Sequence, residues 1–454
     1  MSNILSREIA LDSNYFVIQF QDDPSIYLIQ SYPFLVCEID QSLADLLIAR
    51  EVTAQEVIAE QPKERNIFTT PGIFYQPILI MTNRCNLRCK YCYADSGSYG
   101  FSGYCDMDHD TIENVVRYVQ SNIMKHSAQL RGQHIELAYV AFGGESLINL
   151  DGVRHLLSCA KESCAQMSRE LCADVQPLVI INTNGLLITE ELLKSLEPDR
   201  AFVEFVVSLD GLYHDENRLD FAGNGSLKRT VDGIELLKKW NFDFYVTCCL
   251  MPDHLGITAD NIRFIRSVIG PGKQINLSFI RGAIENVKEC ISYPGMIQQS
   301  YTKANVQPYV DDIVQLISED ENIYCNKFLR RAQAGGFRNK CAACLFEFCV
   351  IADGSVYPCH NFIQDDYLLG NINQGGVDIP STEHYRKFLD RDMDRLEPCK
   401  NCCLKSICIS SFDCPAHSEH DLHDFFQVDE LICDAGKQIQ LALLYKLLKN
   451  GGEL

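Results

Sequence analysis

The segment NRCNLRCKYCYADSG (83–97) sets Cys85, Cys89 and Cys92 on one short loop, directly behind the apolar run IFYQPILIM (73–81). No other feature constrains the fold as tightly, because three thiols this close need a loop that curls around a single point and a rigid element to hold it. A zinc clip, a disulfide cluster and part of an iron–sulfur site all satisfy the spacing. The chain has 22 cysteines among 454 residues. Its N-terminal stretch MSNILSREIALDSNYFV has neither the basic nor the apolar region of a signal peptide. The sequence therefore predicts a cytoplasmic protein, whose compartment keeps thiols reduced, and metal or cluster ligation explains the cysteines better than disulfides do.

Composition narrows the partners. Forty basic residues against 61 acidic ones give a formal charge of −21, with no long Lys/Arg cluster to grip a phosphate backbone. Nucleic acid is thus not an expected partner. No run approaches the roughly 18 apolar residues of a membrane span, and the 46% hydrophobic and 22% charged content is that of a globular protein.

The pattern divides the chain into four parts. Residues 1–70 form a small module in which YFVIQF (15–20), SIYLIQ (25–30) and PFLVCEI (33–39) read as strands, followed by a helix over 41–60 broken near Val52–Thr53. Residues 74–300 alternate strands with helices. IFYQPILIM is followed by IELAYVAF, PLVIIN, FVEFVVSL, FDFYVTCCL and QINLSFI, with helical segments at Val153–Leu171, Glu190–Leu196, Leu227–Trp240 and Asn261–Val268. A further helix is expected from Asp110 as its cap, with Glu113 completing a capping box and Ile112, Val115, Val116, Val119 and Ile123 on its apolar face. Six such repeats with right-handed crossovers specify an α/β fold, a partial (β/α)6 barrel of the TIM type, whose chemistry sits at the carboxyl ends of the strands. The cysteine loop lies at that end. Residues 320–435 are rich in cysteine and poor in long periodic segments, as expected of a metal-stapled domain. Residues 436–454 carry an amphipathic helix with Ile439, Leu441, Leu443, Leu444, Leu447 and Leu448.

A tetrahedral zinc site needs a fourth ligand, and locally only Cys105 and His109 offer one. A cubane held by three thiolates instead leaves one iron open to a small chelating molecule. The arrangement Cys85-x3-Cys89-x2-Cys92, with Tyr91 before the last cysteine, resembles the radical S-adenosylmethionine (SAM) superfamily, and the resemblance runs along residues 74–290. FGGES (142–146) is similar to that family's GGE motif, with Ser146 where Pro is usual, while NTNG (182–185) and SLDG (208–211) follow the next two strands. The resemblance implies that Tyr91, Gly143, Gly144, Glu145, Ser208 and Arg218 bind SAM. It also implies that one electron from the reduced cluster cleaves SAM to a 5′-deoxyadenosyl radical that abstracts hydrogen from the substrate.

The later cysteines, with GSVYPCHN (354–361), resemble the SPASM domain. That likeness implies two auxiliary clusters and hence three [4Fe-4S] clusters in all. One would be held by Cys341, Cys344, Cys359 and Cys414, the other by Cys399, Cys402, Cys408 and Cys433. Five residues rather than three separate Cys408 from Cys414, and Cys349 and Cys403 are alternates. Cys37, Cys159, Cys164, Cys172, Cys248, Cys249, Cys290 and Cys325 read as buried free thiols. CNLRCKYCYADSGSYG further resembles maturases of ribosomally made peptides, and residues 1–70 resemble the PqqD-type leader-recognition element. The partners implied are a precursor peptide with its leader and a flavodoxin- or ferredoxin-type electron donor. The product implied is an oxidative crosslink, a Cys thioether. Carbon–carbon crosslinking and formylglycine formation by an anaerobic sulfatase maturase are the rivals, although NIYCNKFLRRAQ (322–333) lacks an acidic residue to act as base. A zinc-ribbon scaffold is the non-enzymatic rival.

Overall fold

The computed structural model describes residues 4–21, 23–60, 73–125, 127–280, 301–319, 321–333, 336–339, 341–409 and 412–451, so that Cys290 lies outside the described residues. Alternating residues of the N-terminal strands bury opposite faces of an antiparallel meander. Its strands β1 (Leu5–Ala10), β2 (Tyr15–Phe20), β3 (Ile26–Ser31) and β4 (Phe34–Ile39) pair in sequence order. Val17, Ile26, Leu28 and Ile39 pack on the helices Gln41–Ala49 and Ala54–Glu60, while Phe16, Ile18, Phe20, Tyr27 and Ile29 join the main core. The helix break expected near Val52–Thr53 is present. Strand β1 was not expected, because LSREIA exposes every second side chain and carries little apolar pattern.

Runs that are apolar on both faces mark a parallel sheet covered by helices. β5 (Ile73–Thr82) is followed by the short β6 (Arg88–Cys89), then by β7 (His134–Gly143), β8 (Asp174–Thr183) and β9 (Val203–Ser208). Beyond these come β10 (Arg218–Leu219), β11 (Asp243–Leu250) and β12 (Ile275–Phe279). Six of them lie parallel in the order β12-β11-β9-β8-β7-β5, as the alternation predicts. The loops after β5, β7, β8, β9 and β11 therefore converge at one end of the sheet. Among the described residues no helix is long and apolar enough to cross a membrane.

Three differences bear on the site. β13 (Glu347–Val350) adds in parallel to β5 and continues through β14 (Ser355–Tyr357) and β15 (Gly370–Asn371), so the cysteine-rich region extends the barrel's own sheet to nine strands. The helix after the cysteine loop runs His109–Met124 and is capped by Asp108, whose carboxylate accepts from the Thr111 N–H at 2.8 Å. Asp110 is thus not the cap, and the Glu113 carboxylate lies against His155. The terminal helix begins at Glu430, capped by Asp429, so it contains Cys433.

Candidate functional site

Backbone bonds shape the cysteine loop. The Cys92 N–H donates to the Cys89 carbonyl at 3.1 Å, and the Lys90 N–H to the Asn217 carbonyl at 2.9 Å. Cys89 lies in β6, paired antiparallel with Arg218 of β10. The Leu87 N–H points to Cys85 Sγ at 3.4 Å and the Ser96 N–H to Cys92 Sγ at 3.2 Å. Burial pushes the Cys85 thiol up to about 12, helped by the nearby Glu145 charge, and pushes Cys89 higher still. Three partly buried thiols on one loop, with N–H donors at two of the sulfurs, fit an iron–sulfur cluster.

The GGE loop presses against this loop. A Cβ on Gly144 would stand 2.2 Å from the Arg84 carbonyl oxygen, and one on Gly143 would stand 2.4 Å from that of Thr82. Gly143 also has φ +142, which glycine adopts without cost. The Gly144 and Glu145 N–H groups donate to the Thr82 and Arg84 carbonyls at 3.0 and 2.8 Å. Glu145 is 1% exposed. Its carboxylate accepts from the Thr183 hydroxyl and the Asn184 N–H, both at 2.8 Å, and from the Leu147 N–H at 3.1 Å. Burial lifts its pKa to about 7 despite these donors.

Arg218, expected at SAM, is buried and its guanidinium is committed to Asp210 through Nε and Nη2 at 3.0 and 3.1 Å. The Tyr91 hydroxyl donates to the same carboxylate, and the Tyr91 ring lies 5.4 Å from the guanidinium carbon. Asp210 belongs to the SLDG stretch (208–211) and was not among the expected site residues. The Cys249 N–H completes the set at 3.0 Å, so Cys249 sits beside the site and is only partly buried. Ser208 ends β9, in register with Thr247 of β11.

His360 and Tyr93, each adjoining an expected ligand, come together from opposite ends of the chain. Their ring centroids are 6.0 Å apart, with Phe142 5.0 Å from His360 and Tyr99 6.1 Å from Tyr93. This aromatic group joins the cysteine loop to the cysteine-rich region. Its members are far apart in the chain, and no local pattern links them.

The expected second auxiliary set assembles: Cys399, Cys402, Cys408 and Cys433 line one cavity together with Gln440, whose Nε2 approaches Cys408 Sγ at 3.6 Å. Four thiols around one cavity fit a cubane. In the other set, burial raises the Cys341 and Cys359 thiols, and each also senses Glu347 and Cys414. Cys344 is buried as well, its thiol raised by burial to about 12, and it lies near Tyr118 of the His109–Met124 helix. Cys349 is buried beside Tyr93 and Tyr99, and Cys403 is fully buried near Cys402. Cys105 is exposed and outside the site, as is Cys172.

The radical SAM superfamily profile matches residues 79–265, and the profile of SPASM, an iron–sulfur cluster-binding domain, matches residues 323–403. The chain is 23% identical over 345 residues to the cysteine-type anaerobic sulfatase-maturating enzyme of Clostridium perfringens (strain 13 / Type A), covering 71% of this chain and 84% of that one. It is 26% identical over 390 residues to the radical SAM cyclopropyl synthase TigE of Paramaledivibacter caminithermalis, covering 82% and 72%. Among solved structures, native anSMEcpe with bound AdoMet superposes with a TM-score of 0.65 at 19% identity, over 84% of this chain and 100% of that one. The three-thiol loop at the strand ends, the glycine loop behind it and the four-thiol cavity thus carry one reading: this chain is an enzyme of the radical SAM superfamily with a C-terminal SPASM domain, and its cofactors are [4Fe-4S] clusters and S-adenosylmethionine.

Proposed function

We propose that the enzyme modifies a ribosomally made peptide, joining two of its side chains through an oxidative crosslink, a Cys thioether. The observation that carries this reading is the seat of the N-terminal meander. Tyr32, in the β3–β4 turn, packs against the buried cluster of Met393, Leu396, Cys399 and Val428, as does Cys433; the Lys405 ammonium donates to the Ser13 carbonyl at 2.6 Å; and Lys437 pairs with Glu8 at 2.8 Å. The sheet therefore stands on the auxiliary cysteines, and among the described residues no strand pairs with the outer edges of β1 and β4. Such an edge takes up an extended leader by main-chain hydrogen bonds. The anSMEcpe match consumes all of that chain yet leaves 16% of this one outside, so this chain has a part that that one lacks.

Cys85, Cys89 and Cys92 would hold the first cluster, and Gly143, Gly144, Glu145 and Ser208 would hold SAM beside it. Held there, the cluster and SAM would supply the radical chemistry that removes hydrogen from the substrate. Asp210 and Arg218 fix Tyr91 and the middle cysteine in place. The ring contacts of Tyr93, Tyr99, Phe142 and His360 would hold the cysteine loop against the SPASM region. Cys399, Cys402, Cys408 and Cys433 would hold an auxiliary cluster that relays electrons, and a flavodoxin- or ferredoxin-type protein would supply them.

Formylglycine formation is the second reading, favoured by the likeness to the Clostridium perfringens enzyme. A peptide encoded beside this chain, incubated anaerobically with enzyme, SAM and reductant, separates the two. A crosslink lowers the mass by two hydrogens, removes a thiol from alkylation and gives nothing reactive toward hydrazines. A hydrazine-reactive aldehyde on a sulfatase peptide would displace the crosslinking reading.

A further inference from the structure

Two barrel helices bring five ligand-type side chains to their shared surface, away from the cysteine loop. His109 and Glu113 lie one turn apart on the His109–Met124 helix, and Asp151, His155 and Cys159 lie at successive turns of Leu150–Leu171. Residues four apart share a helix face, so each row presents its groups to the other. His155 Nε2 is 3.1 Å from Glu113 Oε1 and 3.4 Å from Cys159 Sγ, and the three ligand atoms all lie within 4.8 Å of one another. The rings of His109 and His155 stack with centroids 3.9 Å apart and planes 9° apart, and His109 Nε2 is 2.9 Å from Asp151 Oδ2.

Those separations match a metal's demands. At ordinary zinc bond lengths and a tetrahedral angle, nitrogen and oxygen ligands stand about 3.4 Å apart, and nitrogen and sulfur about 3.6 Å. The two contacts to His155 are a few tenths of an ångström tighter, which small rotamer adjustments open. One oxygen, one nitrogen and one sulfur suit zinc and its neighbours, whereas calcium and magnesium take oxygen.

We propose that Glu113, His155 and Cys159 form a site for a divalent metal of the zinc class, separate from the iron–sulfur centres, with its fourth position filled by water. A carboxylate and a thiolate balance the divalent charge. The His109 ring, itself held by Asp151, fixes the tilt of His155. The site clamps together the helices that follow β5 and β7, the two strands that carry the cysteine and GGE loops.

The holoenzyme, washed with a weak chelator, is titrated anaerobically with zinc chloride by calorimetry, and zinc and iron are counted before and after. The expected result is one zinc per chain at submicromolar affinity with iron unchanged. X-ray absorption at the zinc edge should show a single sulfur among nitrogen and oxygen neighbours. Cys159→Ser and Glu113→Gln each weaken zinc binding by about 100-fold while leaving iron content and the circular dichroism spectrum as they were. Zinc uptake equal in wild type and both variants, zinc bound by several sulfurs, or no uptake by the wild type overturns the proposal.

Discussion

Arg218 and Asp210 form a two-bonded ion pair at 3.0 and 3.1 Å, wholly inside the protein, and Arg218 is at the same time the strand partner of Cys89. The middle cysteine of the loop is thus positioned by a charge pair reaching from the ends of β9 and β10.

Removing one charge of such a pair leaves the other buried and unpaired. Asp210→Asn should therefore lower folding stability by about 3–5 kcal/mol. Denaturant titration measures the loss, and iron analysis should show the first cluster depleted before the auxiliary ones.

Gly144 has no room for a methyl group against the Arg84 backbone. In Gly144→Ala the loop must move, and bound iron should fall from about twelve per chain, the content of three cubanes, to about eight. Gly256, with nothing within 4 Å of an added Cβ, is the control. Gly256→Ala should keep its full iron content.

Cys344 and Cys414 can be told apart by substitution. If the carboxylate of Glu347, or a solvent molecule, and not Cys344 completes the set of Cys341, Cys359 and Cys414, Cys344→Ala keeps its iron and its auxiliary electron paramagnetic resonance signal, whereas Cys414→Ala loses about four irons. Equal losses would keep Cys344 in the expected ligand set.

His214 gives the fold an acid limit. The Ser226 hydroxyl donates to the Arg218 carbonyl at 2.7 Å, so it accepts from His214 Nε2–H at 3.0 Å, and Nδ1 accepts from the Asp210 N–H at 3.3 Å. The ring is held neutral, and burial, then Arg218, depress its pKa from 6.5 to about 4. Below pH 6.5 the unfolded chain takes up the proton first, so stability falls as pH drops from about 6.5 to about 4, by on the order of 3 kcal/mol. Denaturation midpoints across that range should slope less steeply in His214→Gln than in the wild type.

Much of this was legible before the fold was known. Parallel strands such as β5 and β7 are apolar on both faces and announce themselves, and the three-cysteine spacing and GGE loop are local patterns behind them. What escaped is non-local. Nothing in FRNKCAACLFEFCV (337–350) tells that β13 will pair with β5, more than 250 residues earlier. The Arg218–Asp210 pair is non-local in the same way: nothing in HDENR tells that the guanidinium will bond the carboxylate of SLDG through Nε and Nη2. Asp108 outcompeted Asp110 as a cap because its carboxylate stands three residues ahead of a free N–H at Thr111, a distinction that two neighbouring aspartates do not reveal in sequence.

The central claim is that the thiolates of Cys85, Cys89 and Cys92 hold the cluster at which SAM is cleaved. Its most direct test is 5′-deoxyadenosine formation, followed by chromatography in anaerobic, dithionite-reduced enzyme with SAM. The wild type should form 5′-deoxyadenosine and methionine together, and the Cys85→Ala/Cys89→Ala/Cys92→Ala variant should form neither while keeping its auxiliary iron. Continued 5′-deoxyadenosine formation by that variant would contradict the account.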